Sequence, residues 1–293
     1  MANGKIIKAL SGFYYVLDGE KVVRCRGRGV FRKQKISPLV GDYVEYQLES
    51  NQEGYILSIE KRKNELIRPP IANVDQAILV FSVARPNFHL GLLDRFLVLI
   101  ESKAITPIIC LTKMDLLSPE DEQKIHSYCE DYREIGYQVI TTSVKNGSGL
   151  DQIRAVLQEK TSVFAGQSGV GKSSLLNALC PDLQLETKDI SDSLGRGKHT
   201  TRHVELIEID NGLVADTPGF SSLELGDLDL DELSSCFPEI HQLSQYCKFR
   251  GCRHLNEPKC AVREAVEMKK IPAYRYDHYQ QFLVEIKERK PRY

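Results

Sequence analysis

The chain carries the run Gly166-Gln167-Ser168-Gly169-Val170-Gly171-Lys172-Ser173, which fits the pattern G-x-x-x-x-G-K-[ST] at every fixed position. A β-favouring run, Thr161–Ala165, precedes it, and helix-favouring residues that begin with Ser174 follow it. In such a strand, turn and helix, backbone N–H groups and the helix N-terminus surround phosphate oxygens. We therefore predict a phosphate-binding loop that includes Ser174, with Lys172 on the β- and γ-phosphates and Ser173 on Mg²⁺. The alternative is a glycine-rich loop that fits by chance.

Length and composition limit the class of protein. The chain has 293 residues, of which 42% are hydrophobic and 27% charged, as in a globular protein of two or three domains. No apolar run reaches the ~20 residues that a membrane span needs, and residues 1–5 lack the apolar core of a signal peptide. We expect a cytoplasmic protein that acts as a monomer.

The first 68 residues are predicted to form a small basic domain. They contain 13 Lys and Arg against 8 Asp and Glu, whereas residues 69–225 contain 14 against 21. A basic domain before an acidic one indicates that the first domain meets a polyanion. Short β-favouring segments separated by Gly, Asp or Asn predict an OB-like β-barrel. These segments are Lys5–Leu10, Phe13–Leu17, Val22–Cys25, Tyr43–Leu48 and Tyr55–Ile59.

A run of basic residues without an acid lies between Lys21 and Lys35, close in sequence to several aromatic residues. Basic side chains that bind phosphates, together with aromatic rings that stack on bases, indicate a nucleic-acid surface. The predicted RNA-binding residues are Arg24, Arg26, Arg28, Arg32, Lys33 and Lys35. The alternative is a solvated basic face beside aromatic residues of the core, namely Phe13, Tyr14, Tyr15 and Phe31.

Arg68-Pro69-Pro70 marks a predicted domain boundary. After it, strands alternate with helices, which predicts an α/β domain with a mostly parallel sheet. We predict three domains, at 1–68, 69–225 and 226–293, the last mainly helical. The predicted strands of the sheet are Ala77–Val83, Ile105–Leu111, Gln138–Thr142, Thr161–Ala165, Val204–Ile209 and Leu213–Ala215.

Two segments resemble the base-reading elements of GTPases. Thr112-Lys113-Met114-Asp115 resembles N-K-x-D, with Thr in place of Asn, and Ser143-Val144-Lys145 resembles S-A-K. The Asp115 carboxylate would accept from the ring N–H and the amine of guanine, while adenine would leave it unpaired. The Lys113 stem would pack on the base. The change from Asn to Thr removes an amide that ties this loop to the purine, which is expected to alter affinity rather than base choice.

Asp216-Thr217-Pro218-Gly219 fits D-x-x-G, which places Asp216 towards Mg²⁺ and the Gly219 N–H towards the γ-phosphate. In ordinary GTPases the phosphate loop precedes the base-reading elements, whereas here it follows them. The set is therefore complete but circularly permuted. Such a site survives permutation because all its loops lie at the carboxyl edge of one sheet.

The segment between the phosphate loop and Asp216 holds Thr200 and Thr201. A switch threonine that closes on Mg²⁺ is needed in this segment, and we favour Thr201. Phe220 follows Gly219 at a position where many GTPases carry the glutamine that orients water. Another group must therefore orient the attacking water.

The end of the chain carries a cluster of metal-ligand residues, Cys247-x4-Cys252-x-His254-x5-Cys260. Three thiolates and an imidazole fill a tetrahedral Zn²⁺ site with no open position, so we predict a structural role. A disulfide within the cluster would leave its third cysteine unpaired. Nearby basic residues suit an RNA-facing knuckle. They are Lys248, Arg250, Arg253, Lys259 and Arg263.

A permuted GTPase domain between a basic barrel and a Cys/His tail resembles the ribosome small subunit-dependent GTPase A family over essentially the whole chain. The motifs that carry the resemblance are Gly166–Ser173, Asp216–Gly219, Thr112–Asp115, Gly195–Arg202 and the Cys247, Cys252, His254 and Cys260 cluster. The resemblance implies a GTPase that binds GTP, GDP and Mg²⁺, with an OB-fold and a zinc domain. It also implies binding to the 30S ribosomal subunit and its 16S rRNA late in assembly, with subunit-stimulated hydrolysis coupled to release.

The resemblance further suggests His199 as the group that orients the attacking water, because a neutral imidazole accepts a hydrogen bond from water. The alternative is a catalytic group supplied by the ribosome. Two other functions stay open from the residues alone: a GTP-regulated binder of another structured RNA, and a phosphotransferase that acts on a small molecule.

Overall fold

The structure, a computed structural model, describes residues 1–27, 31, 36–49, 53–67, 69–185, 204–216, 225 and 228–289, with only the backbone of Asp216. Five strands form the N-terminal barrel: β1 (Ala2–Leu10), β2 (Phe13–Asp18), β3 (Lys21–Gly27), β4 (Tyr43–Leu48) and β5 (Glu53–Ile59). They pair in the order β1-β2-β3-β5-β4, and β1 also pairs with β4 to close the barrel. The predicted OB-like barrel is confirmed.

The barrel closes around alternate side chains of its strands. Val16 on β2 and Val44 and Tyr46 on β4 are buried, as expected where one face of each strand faces the core. A short hairpin of β6 (Glu65–Ile67) and β7 (Pro70–Ala72) then leads to the central sheet. The predicted boundary after residue 68 falls in sequence between β6 and β7.

The central sheet contains β8 (Gln76–Ser82), β9 (Thr106–Thr112), β10 (Gln138–Thr141), β11 (Thr161–Ala165), β12 (Glu205–Ile209) and β13 (Gly212–Asp216). Their order is β10-β9-β8-β11-β13-β12, and all pairs are parallel except β12 with β13. Strands β8 and β11 are buried along their whole length because helices cover both faces of the sheet. The predicted α/β fold is confirmed.

Four helices cover the central sheet: α1 (Leu90–Glu101), α2 (Pro119–Ile135), α3 (Leu150–Leu157) and α4 (Lys172–Leu179). Helices α1 and α2 pack on one face, and α3 and α4 pack on the other. Both ends of α2 carry residue types that favour helix ends, Ser118 before Pro119 and Gly136 after Ile135. The Ser118 side chain caps its first turn, and Gly136 ends it at φ +112°.

The barrel and the central sheet are continuous, which the sequence did not predict. Strand β1 of the barrel pairs antiparallel with β12, where Lys8 lies opposite Glu205. Within the described residues, eleven strands therefore form one sheet that runs from β10 to the barrel.

Residues 228–289 contain three helices, α5 (Pro238–Ser244), α6 (Ala261–Glu267) and α7 (Ala273–Glu288). Tyr279, Phe282 and Ile286 of α7 are buried packing residues. They pack with Phe237 and with Val98 of α1, so α1 lies between the central sheet and the C-terminal helices. Along the described chain, no helix has both the length and the apolar character to cross a bilayer.

Candidate nucleotide and metal sites

The predicted phosphate loop joins β11 to α4 through a tightly bent backbone. Gly166 has φ +148°, and a Cβ there would lie 2.1 Å from the carbonyl oxygen of Val80. Gly171, at φ +101°, precedes the first residue of α4 and provides no side-chain cap. The N–H groups that begin α4 are therefore left for an anion.

Lys172 lies over this loop. Its ammonium group donates to the carbonyl oxygens of Gly166 at 2.7 Å and Gln167 at 2.6 Å. Burial lowers the pKa of Lys172 to about 8, because the charged amine loses hydration that carbonyls only partly replace. A phosphate group next to the ammonium would stabilise its charged form.

Thr112, at the end of β9, ties the base-reading loop to the phosphate loop. Its hydroxyl is buried and donates to the carbonyl oxygen of Val170 at 2.6 Å. Lys113 adds a second tie, since its ammonium group donates to the Gly169 carbonyl oxygen at 2.8 Å and to that of Arg85. The sequence indicated only what Thr112 lacks relative to asparagine. The structure shows that its hydroxyl links the two loops.

Asp115 lies in a short 3₁₀ segment, Met114–Leu116, and faces the second base-reading element. The Ser143 hydroxyl donates to its carboxylate at 2.5 Å. Ser143 is itself buried, and its N–H donates to the Ser148 carbonyl oxygen at 3.1 Å. This pair holds one carboxylate oxygen in place, while the neighbouring Val144 and Lys145 are exposed.

The carboxyl ends of β9, β10 and β11 thus bring the predicted phosphate loop and both predicted base-reading elements to one edge of the sheet. Strand β13 pairs in parallel with β11 and ends at Asp216, so the Asp216 backbone lies at the same edge. The predicted residues His199, Thr200, Thr201 and Gly219 lie outside the described residues. Sequence reasoning missed Arg85, because a backbone carbonyl that accepts a hydrogen bond has no signature in the sequence.

The predicted metal ligands Cys247, Cys252, His254 and Cys260 come together, with all four ligand atoms within 4.8 Å of one another. The sulfur atoms of Cys247 and Cys260 are 3.8 Å apart, and His254 Nδ1 lies 3.6 Å and 3.4 Å from them. A tetrahedron with Zn–S of about 2.3 Å and Zn–N of about 2.0–2.1 Å has edges of about 3.8 Å and 3.5 Å. The donor set and its spacing therefore fit a tetrahedral ion.

The surroundings of the cluster favour neutral ligands unless a cation is bound. Burial raises the pKa of Cys252 to about 12 and also raises that of Cys260, and it lowers the pKa of His254. A bound cation would reverse this effect on the thiols. Cys236 is buried in the helical core and is not part of the cluster.

Two of the predicted RNA-binding residues, Arg24 and Arg26, are described. Their guanidinium groups lie 4.7 Å and 5.0 Å from the centre of the Phe13 ring, and Arg24 also forms an exposed ion pair with Glu53. Phe31 is buried in the core. Phe13 thus lies with the basic residues, as a nucleic-acid surface would require, whereas Phe31 belongs to the core, as the alternative expects. The remaining predicted residues Arg28, Arg32, Lys33 and Lys35 lie outside the described ranges.

Comparisons with known proteins agree with this architecture. Residues 59–226 match the family model of the RsgA GTPase, and residues 3–56 match the RsgA N-terminal domain. The chain is 67% identical over 293 residues to the small ribosomal subunit biogenesis GTPase RsgA of Geobacillus sp. (strain WCH70), with all of both chains covered.

Solved structures share the fold over the same extent. The structure of YloQ, a circularly permuted GTPase, superposes with a TM-score of 0.88 at 59% identity, covering 100% of this chain and 97% of the other. YjeQ from Thermotoga maritima gives 0.88 at 38% identity and covers 99% of each chain. With its match over the full length to these relatives and structures, the chain belongs to the RsgA family of circularly permuted GTPases.

Proposed function

We propose that this GTPase acts in the biogenesis of the small ribosomal subunit. It would bind GTP with Mg²⁺ and the 30S subunit with its 16S rRNA, and subunit-stimulated hydrolysis would be coupled to release. The names of its full-length relatives support the ribosomal role. The main support for a nucleotide site is the contact between the loop after β9 and the phosphate loop. In this contact Thr112 donates to the Val170 carbonyl oxygen and Lys113 to that of Gly169.

Each residue predicted at the nucleotide site has a role in this proposal. Lys172 binds the β- and γ-phosphates, Ser173 and Asp216 hold Mg²⁺ together with Thr201, and Asp115 accepts from guanine. His199 orients the attacking water. The remaining contacts to the nucleotide come from Thr112, Lys113, Met114, Ser143, Val144, Lys145, Gly166, Gln167, Ser168, Gly169, Val170, Gly171, Ser174, Thr200 and Gly219.

The cluster of Cys247, Cys252, His254 and Cys260 would hold one Zn²⁺ in a structural role. Four protein ligands leave no position for a substrate, and structural zinc contributes directly to folding. The three units proposed from the sequence, 1–68, 69–225 and 226–293, would carry RNA binding, GTP hydrolysis and the metal. The protein would act as a monomer in the cytoplasm, where the ribosomal subunits are assembled.

The test is GTP turnover at several concentrations of purified small ribosomal subunits. The free protein is expected to turn over slowly, because Phe220 occupies the usual place of the water-orienting glutamine. Subunits are expected to accelerate turnover at least about tenfold, because binding orders groups that must act together. The Lys172→Ala variant should lose turnover with and without subunits while keeping its fold.

Other outcomes would favour the alternatives. Stimulation by another structured RNA, with none by small subunits, would indicate a GTP-regulated RNA binder of a different kind. Transfer of the γ-phosphate to a small acceptor instead of water would indicate a phosphotransferase. His199→Ala tests the water-orienting role, since stimulation equal to that of the wild type would place the catalytic group on the ribosome.

A further inference from the structure

Lys113, which follows β9, has an unusual backbone conformation. Its φ is +63° and its ψ is 34°, in the left-handed region that residues with a side chain seldom adopt. Such a conformation costs free energy and persists only where the surrounding contacts impose it. The hydrogen bonds of the Lys113 side chain are among those contacts, and they fix where its stem lies.

The Lys113 ammonium group has two backbone acceptors from different parts of the sheet. One is the Gly169 carbonyl oxygen of the phosphate loop, at 2.8 Å, and the other is the Arg85 carbonyl oxygen. Arg85 belongs to the segment between β8 and α1, residues 83–89, which contains none of the predicted nucleotide-binding residues. A charged donor makes a stronger hydrogen bond than a neutral one, so the position of the Arg85 carbonyl determines where Lys113 is held.

Ser82, the last residue of β8, fixes the start of this segment. Its side chain is buried, and its hydroxyl oxygen accepts from the N–H groups of Ala84 at 3.3 Å and Arg85 at 3.1 Å. Bonds from a serine hydroxyl to N–H groups two and three residues further along the chain stabilise a tight turn. Because the Arg85 N–H is held in this turn, the direction of the Arg85 carbonyl is restricted as well.

Neighbouring contacts hold the segment on both sides of the turn. The Val83 N–H donates to the Thr112 carbonyl oxygen at 3.1 Å, which joins the end of β8 to the end of β9. At the far end of the segment, the Phe88 ring packs edge-on against Phe81 with ring centroids 6.3 Å apart. The next residue, His89, is the N-cap of α1. The segment is thus anchored at both ends, and the serine hydroxyl orders the part that presents the acceptor.

We propose that Ser82 is a positioning residue for nucleotide binding. Its hydroxyl holds the turn that presents the Arg85 carbonyl to the Lys113 ammonium, and this bond holds the lysine stem where the purine would pack. A site that is ordered before its ligand arrives loses less conformational entropy on binding. Ser82 is shielded from any ligand by its own burial, so it acts through Lys113. The proposal rests on the proposed nucleotide site, because the position of Lys113 affects binding only if a base lies against its stem.

Equilibrium titration of the full-length protein with GDP and Mg²⁺ tests this role. Ser82→Ala should weaken GDP binding about tenfold, as expected when a hydrogen bond to a charged group is weakened. A non-hydrolysable GTP analogue should show the same loss, because both nucleotides carry the same base. Ser82→Thr keeps a hydroxyl and should restore most of the affinity. Unchanged affinity in Ser82→Ala, or a threonine variant as weak as the alanine variant, would overturn the proposal.

A double-mutant cycle with Lys113→Met separates positioning from a general loss of stability. In the Lys113→Met background, Ser82→Ala should cause no further loss of GDP affinity, because the group that it positions is gone. Losses that multiply would show that Ser82 acts independently of Lys113 and would contradict the proposal. If Ser82→Ala does not fold, Ser82→Cys takes its place, since a thiol accepts hydrogen bonds only weakly.

Ser162→Ala is the matched control. Ser162 is buried like Ser82 and lies on the adjacent strand β11, but its hydroxyl accepts from the Gln76 side chain at 2.9 Å, at the opposite end of the sheet. This variant should keep the wild-type affinity for GDP, and a loss equal to that of Ser82→Ala would rule out a specific role for Ser82. If Lys113→Met weakens binding but Ser82→Ala does not, this inference fails while the proposed site stands. If the wild type does not bind GDP, the proposed function fails as well.

Discussion

The barrel and the C-terminal helices are both joined to the central domain by charged residues, but in opposite environments. At the barrel, Lys8 of β1 pairs with Glu205 of β12 at 2.8 Å, and both side chains are about one-third to one-half exposed. At the C-terminal helices, Arg275 of α7 pairs with Asp94 of α1 at 2.6 Å and with Glu239 of α5 at 2.7 Å, all essentially buried.

Arg275 is the centre of an enclosed network. The Tyr132 hydroxyl donates to Asp94 at 2.6 Å, His278 also bonds to Asp94, and the Phe237 ring lies 4.5 Å from the guanidinium. Burial opposes the charge, but Asp94 and Glu239 raise the pKa of Arg275 well above its usual value. The group stays charged at every working pH.

The barrel joint, where β1 meets the central sheet, contains a buried amine instead of a buried ion pair. Lys5 of β1 donates to the Thr161 hydroxyl at the start of β11, and burial lowers the pKa of Lys5 to about 8. The difference teaches that the two joints respond to different conditions. Salt screens the buried charges of the C-terminal joint only weakly. At the barrel joint, salt can screen the exposed pair of Lys8 and Glu205, and the charge of Lys5 depends on pH.

The largest expected effect is at the buried joint. Arg275→Met should lower the free energy of unfolding by about 3–5 kcal/mol, because it leaves Asp94 and Glu239 buried without a counter-charge. Urea unfolding followed by circular dichroism measures the loss. Arg95→Met is the matched control, since Arg95 also links α1 to α7, through the more exposed Glu285, and should cost at most about 1 kcal/mol. Equal losses in the two variants would contradict the comparison.

An intermediate effect is expected at Lys5 and depends on pH. The folded pKa is about 8 and the ordinary value 10.5, so the unfolded chain binds more protons between these values and stability rises with pH there. Relative to Lys5→Met, the wild type should gain on the order of 2 kcal/mol between pH 8 and 10.5. Unfolding of both proteins across this range measures the gain. Thr161→Val should keep the dependence, because burial of the amine causes it.

The smallest effect is expected at the exposed pair. A double-mutant cycle of Lys8→Gln and Glu205→Gln should give a coupling energy of about 0.2–1 kcal/mol that disappears in concentrated salt. Urea unfolding of the four proteins at two salt concentrations provides the values. A coupling that is larger, or that persists in salt, would show that the barrel is held as firmly as the C-terminal helices.

Segments with local signals were predictable. The alternation of short strands predicted the barrel, and Ser118 and Gly136 marked the ends of α2 because capping residues act within one turn. The meeting of the loop after β9 with the phosphate loop also followed, since the carboxyl ends of parallel strands share one edge. Each of these inferences needs only a few neighbouring residues and a general rule of topology.

The joints between the domains were not predictable. Asp94 and Arg275 are 181 residues apart, and a single charge on an amphipathic helix normally indicates a solvated face. Nothing near Lys8 indicates that β1 extends past the barrel to pair with β12. Such contacts depend on how whole domains pack, and their residue types are those that usually face water.

The central claim is that the loop after β9 and the phosphate loop form one guanine-nucleotide site, with Asp115 reading the base. The direct test is the ratio of GTP to XTP affinity for the wild type and for Asp115→Asn, measured by equilibrium titration, with Asp121→Asn as a control that removes a nearby exposed carboxylate. We predict that Asp115→Asn reverses the preference towards XTP, because the amide donates where the carboxylate accepted, and that Asp121→Asn keeps the preference for GTP. An unchanged ratio in Asp115→Asn would contradict the account.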